Sequence, residues 1–231
     1  MGRVILAGGC VGMHLPLPSN FADATWTQII YACQKNVVPR TWVAGNQKAM
    51  AINSTEYLID IIGKTHDTYA SGGTAPLTFQ LHDCYETSYR MNAGSSNSIG
   101  WTSCEMRSTR LPAILELMPD DVKTAIREVN KLTSAGSQSS DIVTTADKLF
   151  LLSEIEVFGS TKYSVDGEGT QYDYYAAGGS KIKNQGGTEE LWWERSPRKD
   201  SDSYFCRVSM TGTASSIEPN KSYGVAFAFC F

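Results

Sequence analysis

Adjacent tryptophans, Trp192 and Trp193, are followed by Glu194, Arg195, Ser196 and Pro197. An exposed indole is a platform for a sugar ring, and a guanidinium grips carboxylate or phosphate. Successive side chains of an extended segment point to opposite faces, so at most one of the two tryptophans faces solvent. Trp192 is the candidate. Arg195 is expected to pair inside the fold with Glu154 or Glu156. Glu218-Pro219-Asn220 offers hard oxygens of the kind calcium prefers, yet it also reads as a turn entering the last strand. His14, His66 and His82 are scattered. His66-Asp67 and His82-Asp83 each resemble half of an acid–base pair, and a surface turn and a strand end explain them equally well.

Six cysteines occur, Cys10, Cys33, Cys84, Cys104, Cys206 and Cys230. None forms Cys-x-x-Cys, and no histidine lies at zinc-ligand spacing from them, so buried free thiols are expected. There is no Gly-x-Ser-x-Gly, nucleotide-binding loop or His-Glu-x-x-His. Gly8-Gly9-Cys10-Val11-Gly12 lacks the spacing and the lysine of a phosphate loop. The reading is therefore of a non-enzyme with no catalytic residue, no metal and no cofactor. A hydrophobic content of 42% against 19% charged residues is that of a globular chain. The net charge of −4 and the lack of a Lys/Arg cluster argue against a nucleic-acid partner. No apolar run approaches the roughly 18 residues of a membrane span. Small residues before Cys10 hint at a lipoprotein signal. The apolar stretch Val4 to Ala7 is far below the roughly 7–15 residues of a signal core, so no signal peptide is expected.

These residues need elements to position them. Thr25 and Gln28 fit a capping box, and Trp26, Ile29, Ile30 and Cys33 form a helical stripe behind it. Short strands are expected at Thr41 to Val43, Ala49 to Ile52, Tyr57 to Ile62 and Leu77 to Leu81. Two more helices are expected near residues 102–118, kinked at Pro112, and 119–130, where Val122, Ala125, Ile126 and Val129 share a face. Residues 136–145 read as a loop and Asp147 to Leu152 as a buried strand. Three closing strands are expected at Leu191 to Arg195, Tyr204 to Met210 and Tyr223 to Phe231. Residues 1–24 read as an extended arm, docking on a partner subunit or a second copy. Residues 25–231 read as one α+β domain.

Three elements in order carry a resemblance. They are Leu151-Leu152-Ser153 with Glu156, Trp192-Trp193-Glu194-Arg195-Ser196-Pro197, and Gly224-Val225 running to Phe229, with Trp101 and Arg107 on the helix before them. With these the chain resembles a phage and gut-bacterial domain family assigned a C-type-lectin-like fold. The resemblance implies two to three helices packed on small antiparallel sheets, and a core position for Trp193. It also implies kinship in fold with the variable proteins of diversity-generating retroelements, whose scaffolds carry exchangeable surface side chains. Mannose-type calcium lectins add a Trp-Asn-Asp element that residues 221–231 lack.

The expectation is thus a recognition domain on a phage virion, made in the host cytoplasm, with a host-surface glycan or protein as ligand. Its partners would be other virion subunits through the arm, a homo-oligomer among them, but neither nucleic acid nor membrane. Loops between the closing strands would carry the contact surface through Tyr172, Tyr174, Tyr175, Trp192, Arg198 and Tyr204. Tyrosine among Ser and Gly suits such a role, because it offers contact area at low entropic cost. Two alternatives stand beside this reading. One is a structural capsid or tail decoration protein. The other is a relative of the formylglycine-generating oxidases, which use a cysteine pair that Cys206 and Cys230 would supply if their strands were adjacent.

Overall fold

The computed structural model describes residues 15–231. The first helix, α1 (Trp26–Gln34), starts at the expected capping box: Gln28 N donates to Thr25 Oγ1 at 3.2 Å and Thr25 N to Gln28 Oε1 at 2.8 Å. Its inner face packs near a five-stranded antiparallel sheet. That sheet has the order β1 (Gln47–Ile52), β2 (Thr55–Lys64), β3 (Leu77–Leu81), β12 (Ala228–Cys230), β6 (Leu149–Phe150). The β1–β2 turn is two residues, Asn53 and Ser54, both at positive φ, the turn whose twist matches that of a hairpin. The last strand sits inside the sheet between β3 and β6, and Phe227 and Phe229 have no exposed surface. Phe79 is the hub of an aromatic core, 5.4 Å from both Phe229 and Phe231 and 6.1 Å from Trp26, ring centre to ring centre. Phe21 is buried in the same cluster, so residues 15–24 include core, not only arm; the rest of the expected arm lies outside the described residues.

Smaller sheets cover the other side. A hairpin joins β4 (Val129–Ser134) to β5 (Ile142–Asp147), a second joins β7 (Lys183–Gln185) to β8 (Thr188–Glu190), and β9 (Trp192–Pro197), β10 (Phe205–Val208) and β11 (Ala214–Ile217) form a three-stranded sheet. Short helices fill the connections: α2 (Gly100–Ser103), α3 (Leu111–Glu116), α4 (Asp120–Ala125), α5 (Glu154–Phe158) and α6 (Asp173–Ala176). The fold is a mixed α+β one, with several short helices on small antiparallel sheets.

Several expectations change. The helix over 102–118 is broken: a π-turn at Met106–Arg110 precedes Leu111, whose N–H reaches back to the Met106 carbonyl, ahead of Pro112. The helix over 119–130 stops at Ala125, because Ile126 is extended and Val129 pairs with Asp147 in β4–β5. The loop over 136–145 therefore ends at Asp141, and the strand over 147–152 shrinks to Leu149–Phe150. Thr41 to Val43 is a turn, held by bonds from the Trp42 and Thr41 side chains to the Pro18 and Ser19 carbonyls.

Candidate functional site

The expected contact surface divides. Tyr172 is the extended residue before α6 and Tyr175 lies within the helix, and both side chains point inward. The Tyr175 hydroxyl donates to Gln80 Oε1 at 2.7 Å, and the Tyr172 hydroxyl donates to Asp67 at 2.9 Å. Trp192 is buried as fully as Trp193, its indole N–H spent on the Lys181 carbonyl at 2.9 Å. Exposure at Tyr172, Tyr175 and Trp192 is thus corrected: their aromatic mass is core. Tyr174, Arg198 and Tyr204 keep part of their surface. Arg198 lies over the rings of Tyr163 and Tyr204 and pairs with Asp200. Tyr174 stands apart, edge-on to Tyr175.

The burial of Tyr172 leads to the densest polar structure in the molecule. Arg195 has no exposed surface, and it pairs with Glu156 through two bonds of 2.5 and 2.9 Å. This is one of the two partners expected from the sequence. Its remaining donors reach the carbonyls of Leu132, Leu151 and Glu168 and the hydroxyl of Thr133. Lys131 projects inward from β4 and donates at 2.7 Å to Asp67, 2.7 Å to Glu156 and 3.0 Å to the Tyr172 hydroxyl. Thr78 completes Asp67 at 2.6 Å. Burial alone pushes both carboxyls up, but the neighbouring Lys131, joined at Glu156 by Arg195, holds each below its ordinary value. Two anions and two cations thus cancel, and every Nζ and guanidinium proton has an acceptor.

Over this network opens a cleft of about 500 Å³. The β4–β5 hairpin supplies Asn130, Leu132 and Thr144, the chain after β2 supplies His66 and Thr68, and the Gly167–Thr170 loop closes the far wall. His66 lies flat on Tyr172, ring centres 3.9 Å apart, which holds the imidazole as a wall. Gly169 has φ +122°, and a Cβ there would stand 2.9 Å from Glu156 Oε1. Only glycine lets this loop come so close to the buried carboxylate. Asp67, Lys131 and Glu156 form the floor, each almost without exposed surface.

Residues 77–231 match the family model described as "Domain of unknown function (DUF6273)". The chain belongs to that family. Lys131, Glu156, Tyr172 and Arg195 fall inside the DUF6273 region, whereas His66 and Asp67 precede it. No curated protein and no solved structure matches the chain.

Elsewhere in this DUF6273 chain the other candidate residues take structural places. Cys33, Cys84, Cys104, Cys206 and Cys230 are buried, with no disulfide among the described residues; Cys10 and His14 lie outside them. Burial pushes the first three thiols up to about 12, and the last two well above the ordinary thiol value. Cys206 is on β10 and Cys230 on β12, in different sheets, so the adjacency that an oxidase-type pair needs is missing. Glu218-Pro219-Asn220 forms a turn, its buried proline carbonyl accepting from Asn92 N at 3.0 Å. Among the described residues no group of three His, Cys, Asp or Glu side chains converges to hold a metal ion, and no helix is long and apolar enough to cross a membrane. His82 pairs with Asp60, at 2.9 Å, and not with its neighbour Asp83. Glu194, on the opposite face of β9 from Arg195, has no exposed surface, and among the described residues neither carboxyl oxygen has a hydrogen-bond partner.

Proposed function

We propose that this chain is a non-enzymatic recognition domain that takes up its ligand in the cleft over Lys131 and Glu156. The observation that carries this reading is the closed floor. Lys131 is committed to three acceptors, so its amine has no lone pair to attack a substrate. Both carboxylates are bound to cations, and burial keeps the described thiols protonated. Such a floor holds a shape and offers fixed dipoles, but moves no proton and forms no covalent bond. A polar cleft with one wall on the β4–β5 hairpin and the other on a glycine-locked loop has the rigidity that binding needs. The setting, a phage particle meeting a host surface, follows from the C-type-lectin-like resemblance. In that setting Arg198 and Tyr204 form a second contact area.

The test is capture of intact host cells and of isolated wall polysaccharide by the immobilised chain. The double variant Asn130→Ala/Thr144→Ala changes two exposed side chains and leaves the floor intact. It should weaken capture about tenfold, as expected for losing two hydrogen bonds. Capture unchanged in this variant, with the fold confirmed by circular dichroism, would remove the cleft from the account.

A further inference from the structure

We infer that the cleft selects an uncharged, polyhydroxylated ligand, the chemistry of a neutral oligosaccharide; this rests on the cleft being the binding site. Charge decides first. Asp67, Lys131, Glu156 and Arg195 sum to zero in one hydrogen-bonded cluster, so the floor attracts neither anion nor cation. A phosphate or sulfate would lie against two buried carboxylates, and an ammonium against Lys131 and carboxylates whose charge Lys131 and Arg195 already cancel. Either pays desolvation without a free partner of opposite sign.

The walls then say what is welcome. Thr68, Asn130, Thr144 and Thr170 are exposed side chains, each with a short hydroxyl or amide that both donates and accepts. None of the four side chains takes part in a hydrogen bond among the described residues, although Thr68 O and Asn130 N are joined through the backbone. A ligand rich in hydroxyls has the same dual character and matches such groups with no change of charge. The floor carboxylates are filled, Asp67 by Lys131, Thr78 and Tyr172 and Glu156 by Lys131, Arg195 and the Ser153 N–H, so a ligand's hydroxyls meet the wall groups and leave the ion pairs whole. His66, fixed against Tyr172, and the exposed Leu132 add apolar surface for the C–H faces of a pyranose ring. Hydrogen-bonding rims around a small apolar contact, with no net charge, fit a sugar better than an acidic or basic peptide.

The full chain is tested on a printed array of neutral, sialylated and sulfated oligosaccharides. Neutral spots should bind, and the signal should hold between about 50 mM and 500 mM salt, because no ion pair is formed. Asn130→Ala/Thr144→Ala should lower it about tenfold, while Arg90→Ala, away from the cleft, leaves it unchanged. Binding confined to acidic glycans, or abolished by salt, overturns the ligand class. So does an array on which nothing binds. If host-cell capture still depends on Asn130 and Thr144 in that case, the recognition reading stands and only the ligand class falls. If capture is indifferent to them as well, both fall.

Discussion

Glu194 and Arg195 are neighbours on β9, both without exposed surface, and the two faces of that strand treat charge in opposite ways. On the Arg195 face, four ionised groups meet at hydrogen-bonding distance and satisfy one another. On the Glu194 face, acids collect without a cation. Glu154 is held by the N–H groups of Tyr163 and Ser164, at 2.9 and 2.7 Å. Glu168 accepts from Ser134 N and from the Ser196 hydroxyl, and Glu194 has no partner among the described residues. Burial pushes Glu168 up to about 7, and burial with Glu154 close by pushes Glu194 well above the carboxylate range. One strand thus settles buried charge twice. It is neutralised by partners on one side and by protons on the other.

The largest test of this contrast is Glu156→Ala. Glu156 caps the start of α5 with Ser153, pairs with Arg195 from β9 and meets Lys131 from β4, so one side chain ties three elements. Its loss strands two buried cations. Unfolding in urea should show a loss of about 3–5 kcal/mol. A loss under about 1 kcal/mol would mean that the paired face is not a structural unit.

The proton side gives the second test. Glu168 has a folded value of about 7 against an ordinary 4.5, so the folded state holds a proton that the unfolded chain releases. The stability this represents is complete below about pH 4.5 and is lost as pH rises toward 7, by about 3 kcal/mol. Glu194 adds to the loss with the same sign, because burial raises its folded value too. Glu168→Gln and Glu194→Gln should each flatten the fall of melting temperature between pH 5 and 8. Asp67 and Glu156 have the opposite sign: both are held below their ordinary values, so their stability is lost as pH falls through the acid range. An alkaline limb that persists in Glu194→Gln/Glu168→Gln would mean that the Glu194 face is not neutralised by protons. A third change has a smaller effect. Tyr172→Phe removes one hydroxyl from the paired cluster and should cost about 1–2 kcal/mol in the same urea experiment.

Much of the scaffold was legible and much of the site was not, for reasons that lie in particular residues. Thr25 with Gln28 announced α1, and the alternation through Phe227 and Phe229 announced a core strand. Ser153 with Glu156 carries the same capping signature, but α5 is only five residues long and follows the apolar run Leu149 to Leu152, so no helical stripe stood out. The strand β4 was hidden by its own chemistry. Its inward positions are Val129, Lys131 and Thr133, and a lysine at a core position imitates a surface. Val129 also continues the helical spacing from Val122 and Ile126. In the tyrosine-rich segment the three-residue spacing of Tyr172 and Tyr175 was the sign that both face one way, and so inward together. The cleft was beyond sequence reading, since its residues are gathered from positions 66 to 170, and each charge looks solvated until its partner is known.

A half-exposed pair lies between the two extremes and gives the smallest test. His82 sits at the end of β3 with about a third of its side chain exposed, and its Nδ1 faces Asp60, itself buried and held by Gln47 at 2.9 Å. The hydrogen bond to Asp60 raises the imidazole above its ordinary 6.5, against burial and the nearby Lys183, with Asp83 adding to the rise. A raised histidine stabilises the fold fully below about pH 6.5, and the effect is lost as pH rises through the folded value. Solvent reaches this pair, so the contribution should stay below about 1 kcal/mol, unlike the closed Glu156 cluster. The measurement is urea unfolding of wild type and His82→Gln at pH 5.5 and 8, with the imidazole titrated by NMR. The variant should lose a small pH-dependent increment and keep the larger alkaline fall that Glu168 and Glu194 set. If His82→Gln instead removed most of that fall, the pH dependence would belong to the surface pair, and the protonated face of β9 would have to be ionised like its neighbour.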